Sequence, residues 1–311
     1  MADITVFGAG MLFNVPVDSS TNYSLNASSG YYRSANYQLS WTGVNLAYSG
    51  STYVATSGTY TSLDLRDGNG NELIQVSNIA YAVQPSDNGW AAIIGKLIAG
   101  NDNWSGTAAN ETFVYDLGND SFDGKGGLDT LQVTAGKWSD FSINKSGSGY
   151  QLTFTTPGRV ITGQTDMLTN VERIQFPDKI IALDLDGNAG QAYRLYQAAF
   201  NRTPDLAGLG YWIGQMDKGA ENLVHVANGF VDSLEFKQLY GDHISDNAFI
   251  TALYTNVLHR LPDQAGFDYW NGRISDGMGR PSILVSFSES TENIAQVIGQ
   301  ISHGIEYTPY G

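Results

Sequence analysis

The sequence predicts a multidomain β plus α protein, and three patterns carry that expectation. Short runs near the N-terminus alternate apolar and polar residues, the stretch from Gly100 to Leu131 repeats every nine residues, and the periodicity turns helical from Gly190 onward. The division that follows is an aromatic-rich β domain over 1–89, a sandwich or a solenoid; a capping helix, a short parallel β-roll and following strands over 90–183; and an all-α domain of two tandem repeats over 184–311. A chain of 311 residues is long enough for two or three domains with their own cores. Its 42% apolar content, with 18 Tyr, 13 Phe and 6 Trp, lies far from a disordered composition.

Charge and residue usage narrow the function classes. A net charge of −15 argues against nucleic acid as a partner, since phosphate binding draws on Lys and Arg, and it suits metal cations. With no cysteine, disulfides and thiolate metal sites are excluded. No segment reaches the length of a membrane span. The start Met1-Ala2-Asp3-Ile4-Thr5 lacks the basic and apolar regions of a cleaved signal peptide, which leaves a cytoplasmic protein or one exported without such a signal.

In the N-terminal region Tyr37, Leu39 and Trp41 alternate with Gln38, Ser40 and Thr42, as in a half-buried strand. Similar runs at Tyr60 to Leu65 and Leu73 to Val83 flank the turn signal Asp67-Gly68-Asn69-Gly70-Asn71. Tyr23, Tyr31, Tyr32, Tyr37, Trp41, Tyr48, Tyr53 and Tyr60 have two readings, a platform for sugar rings or the core and cross-strand pairs usual for aromatics on strands. Trp90, Ile93, Ile94, Leu97 and Ile98 share one helical face. That helix is assigned as the cover for the open end of the β-roll, although an ordinary core helix predicts nearly the same contacts.

The nine-residue ladder reads Gly100-Asn101-Asp102-Asn103-Trp104, Ala109-Asn110-Glu111-Thr112-Phe113, Gly118-Asn119-Asp120-Ser121-Phe122 and Gly127-Leu128-Asp129-Thr130-Leu131. Each block is a small turn residue, a polar residue, a carboxylate, a polar residue and a large apolar one. This stretch resembles the calcium-binding nonapeptide repeats of bacterial RTX proteins. Two nonapeptides make one turn of such a roll, so the resemblance stacks Asp102 on Asp120 along one edge and Glu111 on Asp129 along the other. Ca²⁺ takes six to eight hard oxygens, which carboxylates and turn carbonyls supply. Asp123-Gly124-Lys125-Gly126-Gly127-Leu128-Asp129-Thr130-Leu131 is the best single match, departing from the pattern at Lys125 and Leu128. The expected metal ligands are Asp102, Asp120, Glu111, Asp129 and Asp123, with the Asp102/Asp120 edge the better candidate because Ala109 and Glu111 replace Gly and Asp on the other. The alternative is a degenerate roll held by Trp104, Phe113, Phe122 and Leu131 alone.

Beyond the ladder, short strands are expected at Leu131 to Val133, Phe141 to Ile143, Tyr150 to Phe154, Arg159 to Ile161, Met167 to Phe176 and Ile180 to Leu183. The run Asp166 to Phe176 resembles a segment that closes RTX-type β regions, and no chemistry is assigned to it. Asp184-Leu185-Asp186-Gly187-Asn188 places Asp184, Asp186 and Asn188 at alternate positions like the start of a calcium loop. Ala189 and Leu195 stand where an EF-hand needs Gly and Glu, so a capped turn is the competing reading.

In the helical half, Leu195-Tyr196, Arg202, Pro204-Asp205, Ala207-Gly208 and Tyr211-Trp212 recur 58 residues later as Leu253-Tyr254, Arg260, Pro262-Asp263, Ala265-Gly266 and Tyr269-Trp270. Phe230 to Glu235 then corresponds to Phe287 to Glu292, with one residue lost between. Pro204 and Pro262 are expected at the first helical position, the two glycines at close helix contacts, and the Tyr-Trp pairs between the units. These repeats resemble the bacterial domain-of-unknown-function family 4214, over about residues 184 to 304, a family common at the C-termini of exported RTX-like proteins.

Catalytic signatures do not emerge. The chain has no His-Glu-x-x-His, no Gly-x-Ser-x-Gly and no phosphate loop with Lys, and His225, His243, His259 and His303 show no metal-ligand spacing. The resemblance therefore implies a non-enzymatic, secreted calcium-binding protein of RTX type, exported by a type I machinery and acting in surface attachment, matrix building or self-association. Its expected partners are cell-surface polysaccharide or further copies of itself. A carbohydrate-binding protein and a polysaccharide-acting enzyme are the alternatives.

Overall fold

The computed structural model describes residues 3–6, 22–25, 28–33, 37–47, 55, 57–67, 69, 72–77, 79, 81–82, 100–134 and 136–310. The expected capping helix at 90–98, Tyr48 and Tyr53 lie outside them. The chain divides into two compact units, Met1–Asp178 and Lys179–Gly311.

In the first unit, β1 (Asp3–Val6), β2 (Asn22–Leu25), β3 (Ser29–Arg33), β4 (Tyr37–Ala47), β5 (Ser57–Asp67), β6 (Glu72–Ser77) and β7 (Tyr81–Ala82) pair antiparallel. The register sets Leu39 opposite Leu65, Trp41 opposite Leu63, and Leu63 and Leu65 opposite Val76 and Ile74. All six are buried, so the period-two pattern places one apolar face inward. Trp41 and Tyr60 belong to this core, and the Tyr60 hydroxyl accepts the Ala55 N–H at 2.8 Å. These two aromatics are packing residues and not a sugar platform.

The ladder forms β8 (Asn103–Ser105), β9 (Thr112–Val114), β10 (Ser121–Asp123) and β11 (Thr130–Gln132). A short 3-10 turn (Trp138–Asp140) and a hairpin of β12 (Phe141–Ser146) and β13 (Gly149–Phe154) follow, and then β14 (Thr165–Thr169) and β15 (Arg173–Gln175) return to the ladder. Strands β8, β10 and β14 run parallel in one sheet, and β9, β11 and β15 run parallel in a second. Trp104, Phe122 and Leu168 stand in register on the first, and Phe113, Leu131 and Ile174 on the second. None of the six is more than 1% exposed, so the apolar position of every block builds one continuous core. Strand β1 pairs in parallel with β8 and joins the antiparallel strands to the ladder in a 12-stranded sheet. Among the described residues both sheets are open.

Residues 159–161, expected as a strand, form part of a turn. The Thr162 hydroxyl binds the backbone of Arg159 and Thr156, and Gly158 and Gly163 adopt φ of 79° and 89°, which breaks any extended run.

In the second unit, β16 (Ile180–Ala182) pairs antiparallel with β17 (Ile305–Tyr307). Eight helices lie between them: α1 (Asn188–Phe200), α2 (Leu206–Asp217), α3 (Leu223–Asp232), α4 (Leu234–Tyr240), α5 (Asp246–Asn256), α6 (Gln264–Ser275), α7 (Arg280–Ser288) and α8 (Thr291–Ile301). The two copies share their caps and their arginine pairs. Asp205 and Asp263 are the N-caps of α2 and α6, accepting from Gly208 N at 2.7 Å and Gly266 N at 2.8 Å. Pro204 and Pro262 therefore stand one residue outside the helix rather than at its first position. Arg202 grips Glu235 through two nitrogens and Arg260 grips Glu292 likewise, each guanidinium lying over the ring of Tyr196 or Tyr254.

One further expectation holds in part and another changes. A Cβ at Gly208 would meet the Asp205 carboxylate at 2.9 Å, so that glycine makes room for the cap, whereas one at Gly266 would collide with the hydroxyl of Tyr254 on α5, which is the close helix contact expected there. Trp212 and Trp270 pack on Phe230 and Phe287 inside their own copies, at 5.4 and 5.0 Å between ring centroids, and Tyr269 is exposed. A buried tie between the copies is Arg194, 3% exposed, which binds Glu289 through two nitrogens and the Leu185 carbonyl through a third.

Candidate metal centre: two stacks of buried carboxylates

Each ladder block bonds to the next turn through its polar and acidic side chains. Asp120 Oδ1 accepts the Asp102 N–H at 2.8 Å, and Asp166 Oδ1 accepts the Asp120 N–H at 2.9 Å. On the other edge Asp129 Oδ1 accepts the Glu111 N–H at 2.7 Å, and Glu172 Oε2 accepts the Asp129 N–H at 2.8 Å. The preceding residue repeats the motif: Asn101, Asn110 and Asn119 accept from the backbones of Asn119, Leu128 and Thr165. Glycine is required at the turn because a Cβ at Gly118 or Gly127 would collide with the carbonyl oxygen of Gly100 or Ala109. Their φ values of 146° and 117° also disfavour any other residue.

The first stack thus comprises Asp102, Asp120 and Asp166, and Asp116 adds a fourth carboxylate within electrostatic reach. Asp102, Asp120 and Asp166 are all buried. One oxygen of Asp120, one of Asp166 and both of Asp116 are buried without a hydrogen-bond donor. Burial, the close approach of the Asp120 carboxylate and the charges of Asp120, Asp102 and Asp166 push Asp116 up to about 9. Burial and the charge of Asp120, opposed by the Asp120 N–H, take Asp166 up to about 7. Asp120 rises for the same first reason, burial. Tyr115 beside them is raised by burial and by Asp166, Asp120 and Asp116.

The second stack comprises Glu111, Asp129 and Glu172. The Thr107 hydroxyl and backbone N–H both donate to Glu111, the latter at 3.1 Å. Asp129 keeps one oxygen buried without a donor. Burial raises it to about 7, opposed by the Glu111 N–H and reinforced by the charges of Glu111 and Glu172. Gly106 and Gly124 are the glycines against these carboxylates, since a Cβ on either would collide with Glu111 or Asp129.

Asp123 is engaged elsewhere. Its carboxylate pairs with Lys125 and accepts from Asn170 Nδ2 at 2.8 Å, and against burial these bonds hold it below the usual carboxylate range. The Asp184 loop is a capped turn entering α1: Asp184 Oδ2 accepts from Ala189 N at 3.1 Å, Asn188 donates to Asp217, and Asp186 is exposed. Among the described residues no three carboxylate or imidazole side chains converge at metal-ligand separation. The stacked carboxylates follow the rise from strand to strand, so an ion there would need side chains from consecutive turns together with backbone carbonyls. Hard anionic oxygens left without donors are the donor set that fits Ca²⁺.

Sequence reasoning missed Asp116, Asp166 and Glu172. Asp116 has no counterpart in the other blocks. Asp166 and Glu172 lie 46 and 43 residues beyond the rungs they bond, because the β12–β13 hairpin interrupts the nine-residue period.

The helical half has a family match. Residues 188–240 and 227–297 each match the family model Domain of unknown function (DUF4214). The two matches fall on the two copies of the helical repeat. No curated protein matches the chain. No helix among the described residues is long and apolar enough to cross a membrane.

Proposed function

We propose that the chain is a non-enzymatic extracellular calcium-binding protein of RTX type, in which Ca²⁺ at the ladder completes folding after export. The observation that carries this reading is the first stack, where Asp120, Asp166 and Asp116 hold buried oxygens that no donor satisfies. A buried carboxylate without a partner is costly, and it resolves that cost by taking a proton or a cation. Asp102, Asp120, Asp166 and Asp116 would hold one ion set, and Glu111, Asp129 and Glu172 a second. Bound Ca²⁺ supplies positive charge and no reaction chemistry. With a net charge of −15, ion binding also offsets self-repulsion and couples folding to the ion. Sites of extracellular proteins are tuned to about 10⁻⁴–10⁻³ M Ca²⁺, well above cytosolic levels. Surface attachment, matrix building or self-association is then the work of the folded chain, with the helical copies as the contact region.

Circular dichroism and thermal melts of the full chain in EDTA and in millimolar CaCl₂ test this, with calorimetric titration for stoichiometry. Ca²⁺ is expected to raise the melting temperature and to titrate with heat. Identical melts in both buffers sink the proposal.

A further inference from the structure

A cavity of about 380 Å³ lies within the second unit, walled by α1, the end of α5 and α8. That volume falls in the range of about 300–1,000 Å³ usual for small-molecule sites. Comparison of the two helical copies explains why it is open. Ser233 caps α4 by accepting from Phe236 N at 3.1 Å, and Ser290 caps α8 by accepting from Asn293 N at 3.2 Å, so Asn293 occupies the place of Phe236. Four residues on, Val297 occupies the place of Tyr240. In the first copy Phe236 and Tyr240 are buried and stack at 4.2 Å, and the Tyr240 hydroxyl donates to the Ala198 carbonyl at 2.8 Å. The second copy has lost this aromatic plug, and amide groups line the space instead.

The lining is chemically uniform. Gln197, Asn256, His259, Asn293, Gln296 and Gln300 present amides and one imidazole, while Val257 and Val297 supply an aliphatic wall. His259 sits in the same left-handed turn that Asn201 makes in the first copy, with φ of 53° and 49°, and lines the cavity from an exposed position. No carboxylate, Lys or Arg lines the cavity, and no Phe, Tyr or Trp does. Gln197 Oε1 is buried there without a donor. A charged ligand finds no carboxylate, Lys or Arg as counter-charge in such a site, and a planar base finds only the His259 imidazole to stack on. Amides that both donate and accept, beside an aliphatic wall, match hydroxyl groups carried on a C–H framework.

We propose that this cavity binds a neutral saccharide ring, with the amides on its hydroxyls and Gln197 Oε1 accepting one of them. The site is independent of the calcium ladder.

The test uses the full chain, titrated by saturation-transfer NMR and calorimetry with glucose, galactose, mannose and N-acetylglucosamine, and with an amino acid and a nucleoside as controls. At least one saccharide is expected to bind, with affinity unchanged by EDTA. Restoring the plug with Asn293→Phe and Val297→Tyr is expected to weaken binding at least tenfold while the helical circular dichroism stays intact. The variant Gln296→Ala at an exposed position, which gives up only the 3.3 Å bond to the Leu258 carbonyl, is expected to weaken it about fivefold while the helical circular dichroism stays intact, and it decides the matter if the plug variant does not fold. Absence of saccharide binding, binding of the amino acid or nucleoside instead, or full affinity in a folded plug variant or in Gln296→Ala overturns the proposal.

Discussion

The two carboxylate stacks share one backbone scheme and differ in how their charge is met. On both edges an acidic side chain accepts the N–H of the acidic residue one turn earlier. On the Glu111 edge, Thr107 donates its hydroxyl and its N–H to the first rung. On the Asp102 edge a further carboxylate, Asp116, is added instead, with both oxygens buried and without a donor. The lesson is that burial of acid side chains here has two separable causes. Holding the turns together needs one oxygen per rung, and the remaining oxygens are those that the proposed Ca²⁺ would meet.

The shared scheme breaks most severely at its glycines. Gly118→Ala and Gly127→Ala each force a side chain into a carbonyl at positive φ, and each is expected to cost about 3 kcal/mol or more, measured by urea denaturation. Losses that differ greatly between the two would show that the edges do not share a backbone scheme. Next in size is ion removal. Moving from about a hundredfold excess of Ca²⁺ over its dissociation constant to EDTA removes about 2.7 kcal/mol, or roughly 5–10 °C in a domain of this size. Asp120→Asn is expected to abolish most of that shift and Asp129→Asn a smaller part, by scanning calorimetry.

The pH dependence sharpens the contrast further. Asp166 and Asp129 at about 7 and Asp116 at about 9 lie above the ordinary carboxylate range, so the folded chain holds more protons than the unfolded one. Their contribution is therefore fully present below about pH 4 and is lost as pH rises through 7 and then 9. In EDTA the melting temperature is expected to fall across that window, and saturating Ca²⁺ to flatten the decline. Smallest are two single changes of opposite sign. Asp116→Asn removes a buried charge and is expected to stabilise the EDTA form by about 1–2 kcal/mol, whereas Thr107→Ala costs about 1 kcal/mol. Chemical denaturation of both variants in EDTA reads the difference.

Much of this was legible in the sequence because it is periodic. The blocks fix the alignment of Trp104 with Phe122 and of Phe113 with Leu131, and the offset between Tyr196 and Tyr254 fixes the helical copies. What escaped is non-periodic. Asp166 and Glu172 rejoin the ladder only after a hairpin, and Asp116 becomes significant only when three other carboxylates surround it. Local chemistry also outweighed propensity: Asp205 and Asp263 take the cap, which the neighbouring prolines suggested lay two residues earlier at Thr203 and Leu261. The aromatic plug of the first copy, Phe236 with Tyr240, carries no sequence sign that its counterpart is an open cavity.

The hairpin between the second and third rungs also bears on the order of folding events. Bringing Asp166 back to Asp120 closes a gap of 46 residues, and loop closure grows costlier with length. Strands β12 and β13 pair locally from Phe141 with Phe154 to Ser146 with Gly149, so much of that gap can be taken up by a contact that forms in about 1–10 μs. Once paired, β13 also carries the template for β14, since Tyr150 stands opposite Leu168 and Thr153 opposite Thr165. A hairpin that pairs locally first would thus offer β14, and with it Asp166, a template on which to add.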